Sequence, residues 1–225
     1  IVAPGRVLTT AEMAADATYL ELESTDGTKF AQAKVVAVDY EVNLALLGAA
    51  SEEEGKVLFE GTNTLEIAAP PSIGQAVEIF QVEDNGVPLL TAGLLQSIDV
   101  TSHFLPNQAF LTYMVKASMQ SAASSYSLPV LQDGKLVGVL ISYDAEDQIS
   151  DVSSTDIITR FLSQANNGGY QGFPSLGIAV ARTEDTSLRS WLKIPENEGG
   201  IYVNSVRKKG AAQAAGIQKG DVILA

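Results

Sequence analysis

The 225 residues carry 27 acidic against 14 basic side chains, and the formal net charge of −13 disfavours nucleic acid and anionic membrane surfaces as partners. The absence of cysteine removes disulfides, thiolate metal sites and a cysteine nucleophile, and a single histidine without carboxylates at ligand spacing argues against a transition-metal site. Hydrophobic residues make up 46 % of the chain, which supports one large domain or two small ones, yet no run of 18 apolar residues offers a membrane-spanning helix.

Strand signals fill residues 1–150. Tyr19–Ser24 alternates apolar and polar residues, as a half-buried strand does. The Asp26-Gly27 turn leads into Phe30–Asp39, with Val35, Val36 and Val38. Glu52-Glu53-Glu54 reads as a short acidic loop. Gly74–Val82, Leu89–Ile98, Phe110–Val115 and Leu136–Ser142 continue the strand pattern, with turn signals at Pro70-Pro71, Asn85-Gly86 and Asp133-Gly134. Strands this frequent, without long helical segments between them, predict a β-barrel or sandwich.

Ser153–Asp156 fits a helix capping box, and Ile157, Ile158, Phe161 and Leu162 follow as one apolar stripe. The pattern predicts a helix packed on the barrel. Gln164–Gly172 is polar and glycine-rich and reads as a flexible linker. A second unit opens at Phe173. It holds a strand at Ile201–Val206, a short helix within Gly210–Gly216 and a strand at Lys219–Leu224. The basic run Arg207-Lys208-Lys209 is read as solvated surface at a turn. Ile1 and Leu224-Ala225 both fall inside strand patterns, so further chain, including a targeting or anchor segment, is expected beyond them.

Three segments carry the candidate chemistry. Residues 123–131 read Ala-Ser-Ser-Tyr-Ser-Leu-Pro-Val-Leu and precede the turn Gln132–Lys135 and an apolar strand. This stretch resembles the nucleophile loop of the HtrA-type serine proteases, Gly-Asn-Ser-Gly-Gly-Pro-Leu. Pro129 fixes the register, so the family pattern falls on Ser124, Ser125, Tyr126, Ser127 and Leu128, with Tyr126 in the place of the serine. Val7–Ala14 resembles the family segment ending in Thr-Asn-x-His-Val-Val and puts Glu12 at the histidine. Ala33–Leu47 resembles the segment bearing the triad aspartate and puts Asn43 there.

A serine triad needs an alcohol nucleophile, an imidazole base and a carboxylate to orient it. The positions Glu12, Asn43 and Tyr126 supply none of these in place. Losing a nucleophile or base costs on the order of 10⁶ in rate. The oxyanion loop is degenerate too, with Ser124 and Ser125 at its start and side chains at glycine positions, where Cβ atoms resist positive φ. A different backbone path is therefore expected. His103 lies outside the matched segments and reads as solvated. Ser125 and Ser127 read as turn and hydrogen-bonding residues. A Ser–Lys dyad through Lys116 has no placement in sequence. Tyr126 would either plug the cleft or stack on a bound peptide.

The second unit resembles a PDZ domain of the HtrA kind, through Leu176-Gly177-Ile178 and Gly210–Leu224, where Gly216 and Gly220-Asp221 fall at family spacing. The resemblance implies a mostly β fold: a trypsin-like pair of six-stranded antiparallel barrels in 1–163, a linker in 164–172, and a PDZ domain in 173–225 that stops before the helix walling its groove. It implies peptide binding by Ser175, Leu176, Gly177 and Ile178. The expected function is a non-catalytic scaffold or chaperone-like protein that binds C-terminal or unfolded peptide segments, without cofactor or metal. The alternatives are a regulatory subunit of an active HtrA-like paralogue, or an endopeptidase with unrecognised catalytic residues. A homo-oligomer stays open, and the resemblance places the protein in the bacterial periplasm or cell envelope.

Overall fold

A computed structural model describes residues 1–83, 86–101, 109–119, 127–166 and 169–224. They form two compact units, 1–171 and 172–225. The first unit begins with β1 (Val7–Thr9), β2 (Glu21–Glu23), β3 (Phe30–Asp39) and β4 (Leu44–Ala49), which form an antiparallel sheet in the order β1-β4-β3-β2. The resemblance implied a six-stranded barrel here. Among the described residues the half is an open sheet, because β1 and β2 are three-residue edge strands with one partner each.

Helix α1 (Glu52–Phe59) follows, where an acidic loop was expected. Ser51 caps it by accepting the Glu54 N–H at 3.4 Å, and the three glutamates occupy its first turn. Acidic side chains there oppose the positive end of the helix dipole, so charge favours the helix.

The next six strands close into a barrel. They are β5 (Ala76–Val82), β6 (Pro88–Thr101), β7 (Phe110–Ala117), β8 (Pro129–Gln132), β9 (Lys135–Asp144) and β10 (Ile149–Ser154), arranged β10-β7-β6-β5-β8-β9. Alternation decides what enters the core: Val77 and Ile79 from β5, Tyr113 and Val115 from β7, Leu140 from β9 and Val152 from β10. The double-barrel fold class holds, with one barrel closed and the other half formed.

Helix α2 (Thr155–Ala165) buries Ile158, Phe161 and Leu162 as its stripe predicts, and packs on β4 as well as β7, β9 and β10. Its capping box does not form. Ser153 remains in β10, paired with Thr112 and Val139, so Ser154 becomes the N-cap and makes no cap bond with its side chain. Thr155 instead donates its hydroxyl to the Val137 carbonyl at 2.7 Å. Gln164 and Ala165, placed in the linker by composition, complete the helix.

Tyr170 then packs edge-on against Phe161, with ring centroids 5.2 Å apart. Its hydroxyl donates to Oδ2 of Asp39, which is 7 % exposed. Burial first, and the Asp39 carboxylate second, push the Tyr170 pKa above the ordinary tyrosine value.

The second unit contains β11 (Ile178–Arg182), α3 (Thr186–Leu192), β12 (Gly200–Val206), α4 (Ala211–Ala214) and β13 (Val222–Leu224). Its sheet order is β11-β12-β13, antiparallel throughout. The last strand is shorter than its pattern, because Lys219-Gly220 is a turn with Gly220 at φ 102°.

A tyrosine pKa raised on folding contributes stability below the unfolded value of 10.0, and that contribution is lost as pH climbs toward the folded value. Tyr170→Phe should therefore cost about 1–3 kcal/mol at neutral pH, the worth of a hydrogen bond to a charged group. The gap from wild type, followed by denaturant unfolding, should shrink above about pH 10.

Candidate functional site

The β3–β4 turn builds the first half of the site. Asp39 Oδ1 accepts the N–H groups of Glu41 at 2.8 Å and Val42 at 3.3 Å. That side-chain turn reverses the chain in four residues and leaves Asn43 left-handed, at φ 53°. Asparagine tolerates this conformation better than most residues.

The Asn43 side chain is 1 % exposed, so its amide needs internal partners. Glu12 provides them. The Glu12 N–H donates to Asn43 Oδ1 at 3.1 Å, and Asn43 Nδ2 reaches Glu12 Oε1 at 3.5 Å. Glu12 lies in the turn after β1, held by Ala14 N–H to Ala11 O at 3.0 Å. Two of the three positions that the sequence resemblance matched to a triad thus stand beside each other, 31 residues apart in the chain. They form an amide–carboxylate pair.

Tyr126, Ser124, Ser125 and His103 lie outside the described residues. Ser127, next in chain to the nucleophile position, is described. Its Oγ accepts the Thr10 N–H at 3.0 Å and shares a hydrogen bond of 2.6 Å with Thr9 Oγ1. Its own N–H donates to Leu140 O at 2.9 Å. Ser127 therefore ties the closed barrel to the strand that leads to Glu12. It does so at φ 63°, in the left-handed region that a Cβ resists, where a different backbone path was expected. Two hydroxyl contacts and a backbone bond offset the cost of the Cβ there. Leu128, at the following glycine position, has no positive φ.

Lys116, the candidate dyad base, lies near the end of β7. Its ammonium donates to the Asp147 carbonyl in the β9–β10 turn. No group of three or more His, Asp or Glu side chains is placed to hold a metal among the described residues. Ser127 hydrogen-bonds as its reading from sequence expects, whereas the roles of Asp39 and Tyr170 escaped that reading. The spacing from Asp39 to the amides two and three residues on is a signal that turn chemistry could have used.

In the second unit β11 is an edge strand, with β12 on one side only. The loop before it is fastened by its backbone. Leu176 O accepts the Ala212 N–H at 2.9 Å and Gly177 O accepts the Arg207 N–H at 2.7 Å. Ser175 Oγ accepts the Gly177 N–H at 3.2 Å. Gly177 has φ 71°, and a Cβ there would stand 3.2 Å from Arg207 Cβ. Leu176 is 56 % exposed, so it is not a core residue of the strand, whereas Ile178 is half-buried. The structure brings Ser175, Leu176, Gly177 and Ile178 together at the head of an open strand edge.

Comparison with known proteins finds similar chains spanning both units. A PDZ-domain family model matches residues 172–225. The chain is 26 % identical over its whole length to the mitochondrial Protease Do-like 4 of Arabidopsis thaliana, and 27 % identical to the chloroplastic Protease Do-like 2 of the same plant. It covers 43 % and 37 % of those proteins, about two fifths of their length. Serine protease HTRA1 of Xenopus laevis matches 98 % of the chain at 23 % identity, with 49 % of that protein covered. Among solved structures, the HtrA-type protease AlgW with a decapeptide superposes on 98 % of the chain, and 66 % of its own, with TM-score 0.72 at 18 % identity. The same protein with a tripeptide gives 0.72 at 19 % identity, over 99 % of this chain and 72 % of its own. These superpositions establish a shared fold.

Asn43→Asp would set a second carboxylate against Glu12 while keeping the acceptor for its N–H. Repulsion between like charges raises carboxyl pKa values in the folded state, so stability is lost at neutral pH and recovered as protonation sets in. The variant should be about 1–3 kcal/mol less stable than wild type at neutral pH, with the gap closing toward about pH 4. Equal losses at both pH values in urea unfolding would contradict the pairing.

Proposed function

We propose that this chain, which belongs to the HtrA family of trypsin-fold protease homologues and carries a PDZ domain, is a non-catalytic member that binds peptide segments. The observation that carries the reading is the Glu12–Asn43 pair. In a triad the base takes the proton of the attacking alcohol while a buried carboxylate steadies the resulting imidazolium. The Asn43 amide has no charge to offer, and its carbonyl is engaged by the Glu12 backbone N–H. The one loop hydroxyl described, that of Ser127, is bonded to Thr9 and Thr10 rather than to a base.

Peptide binding rests on the second unit. An extended segment adds to an open strand edge by backbone hydrogen bonds, and clustered N–H groups receive a terminal carboxylate. The β11 edge supplies the first feature, and the loop Ser175–Ile178 is assigned the second. Solved structures named for a bound decapeptide and tripeptide favour the same ligand class. The working division is a barrel unit in 1–163, a connection in 164–172 and the PDZ unit in 173–225. The periplasm or cell envelope stands as the proposed location, against the organelles for which the plant relatives are named.

The test is fluorescence anisotropy on the intact protein, with an apolar-ended peptide carrying a free C-terminus and with its amidated twin. Amidation should weaken binding at least about tenfold, or ~1.4 kcal/mol. Gly177→Val should abolish binding of both, because its φ and its approach to Arg207 exclude a side chain. Equal affinity for the two peptides would contradict carboxylate recognition.

A further inference from the structure

A second polar concavity lies on the half-barrel, at the other end of β4 from Asn43. Ala49 ends the strand that Asn43 precedes, which puts the two sites roughly 20 Å apart at ~3.3 Å per residue. The cavity is about 440 Å³ and lies between the Gly5-Arg6 turn, the β3–β4 sheet and one face of α1. That volume falls in the range of pockets that hold small molecules.

Glycines shape it. A Cβ at Gly48 would stand 2.9 Å from Arg6 Nη1, so the missing side chain gives the guanidinium its place beside β4. A Cβ at Gly55 would stand 3.0 Å from Ala49 Cβ, so this glycine lets α1 lie close on the sheet. Phe59 forms an apolar wall, with its ring against Gly5.

The charge of the lining is opposite to that of the chain. Arg6, Lys34 and Lys56 face the cavity, against one carboxylate, Glu52. Glu52 is engaged by Lys56 at 3.1 Å. Arg6 Nη1 donates to the Gly5 carbonyl at 3.1 Å, and neither Arg6 nor Lys34 has a carboxylate partner among the described residues. In a chain with 27 acidic side chains, two cations left without carboxylates beside an apolar wall make a site of defined chemistry. A guanidinium fork matches the paired oxygens of a phosphate or carboxylate, and a lysine adds a point charge.

We propose that this cavity binds a small organic oxyanion, a phosphate or carboxylate head held by Arg6 and Lys34 with an apolar body on Phe59 and Ala49. This site is independent of the peptide reading, since it lies on the first unit and uses none of the residues Ser175–Ile178.

The experiment titrates the intact protein at low ionic strength with phenyl phosphate, benzoate and inorganic phosphate, followed by calorimetry. Phenyl phosphate or benzoate should bind with Kd below ~1 mM and inorganic phosphate at least several-fold more weakly, because it lacks the body. Arg6→Gln and Lys34→Gln should each weaken binding by about tenfold or more, the worth of one charge-assisted hydrogen bond. Lys34 is exposed, so its substitution leaves the fold intact, and circular dichroism checks this. Lys135→Gln, at the exposed ion pair with Glu66, should change nothing. Absence of binding by all three probes, or binding indifferent to both Arg6→Gln and Lys34→Gln, would overturn the proposal.

Discussion

A buried side-chain amide organises the cleft of the first unit. Asn43 is almost fully enclosed, and an amide in that position must find partners inside the protein. It finds them in Glu12, and the turn that presents it is fixed by Asp39. Asp39 is also the acceptor for Tyr170, at the far end of α2. One short turn therefore joins the half-barrel, the helix that packs on both sheets and the segment that leads to the second unit. Ser127 makes the complementary connection from the closed barrel to Thr9 and Thr10. Polar side-chain contacts thus tie together segments far apart in the sequence.

The same geometry separates two uses of the fold. Catalysis requires a base poised to gain a proton and a nucleophile poised to lose one, in hydrogen-bond contact. Binding requires only an accessible edge and a few fixed donors. In the first unit Glu12 and Asn43 are hydrogen-bonded to each other. The second unit presents β11 as an edge, with exposed Leu176 and Val180 beside it. Among the described residues no helix is long and apolar enough to cross a membrane.

Much of this was legible before the structure. Strand patterns located β5, β6, β7 and β9 of the closed barrel but not β8 or β10, and the apolar stripe located α2, because burial on one face imposes a period. The matched positions Glu12, Asn43 and Tyr126 rest on flanking patterns such as Pro129 and the Asp133-Gly134 turn, and of these the structure describes Glu12 and Asn43. What stayed hidden depends on contacts distant in sequence. Glu52–Glu54 read as loop because acidity alone does not reveal that Ser51 caps a helix there. Ser153 read as a cap because its membership in β10 is settled by Thr112, 41 residues earlier in the numbering. A different backbone path was expected around Ser127 because a Cβ resists positive φ, yet Ser127 is left-handed and held by Thr9 and Thr10. Nothing in the sequence reading foresaw α3, where Asp185 caps the helix by accepting the Leu188 N–H at 2.7 Å.

The proposed non-catalytic role requires that no serine of the first unit be an activated nucleophile. The most direct test treats the intact protein with a fluorophosphonate probe, which labels activated serines, alongside an active HtrA-type protease, with adducts mapped by mass spectrometry. The expected result is a labelled control and an unmodified chain. An adduct on Ser124, Ser125 or Ser127 that disappears when that serine is changed to alanine, together with loss of casein cleavage, would contradict the account.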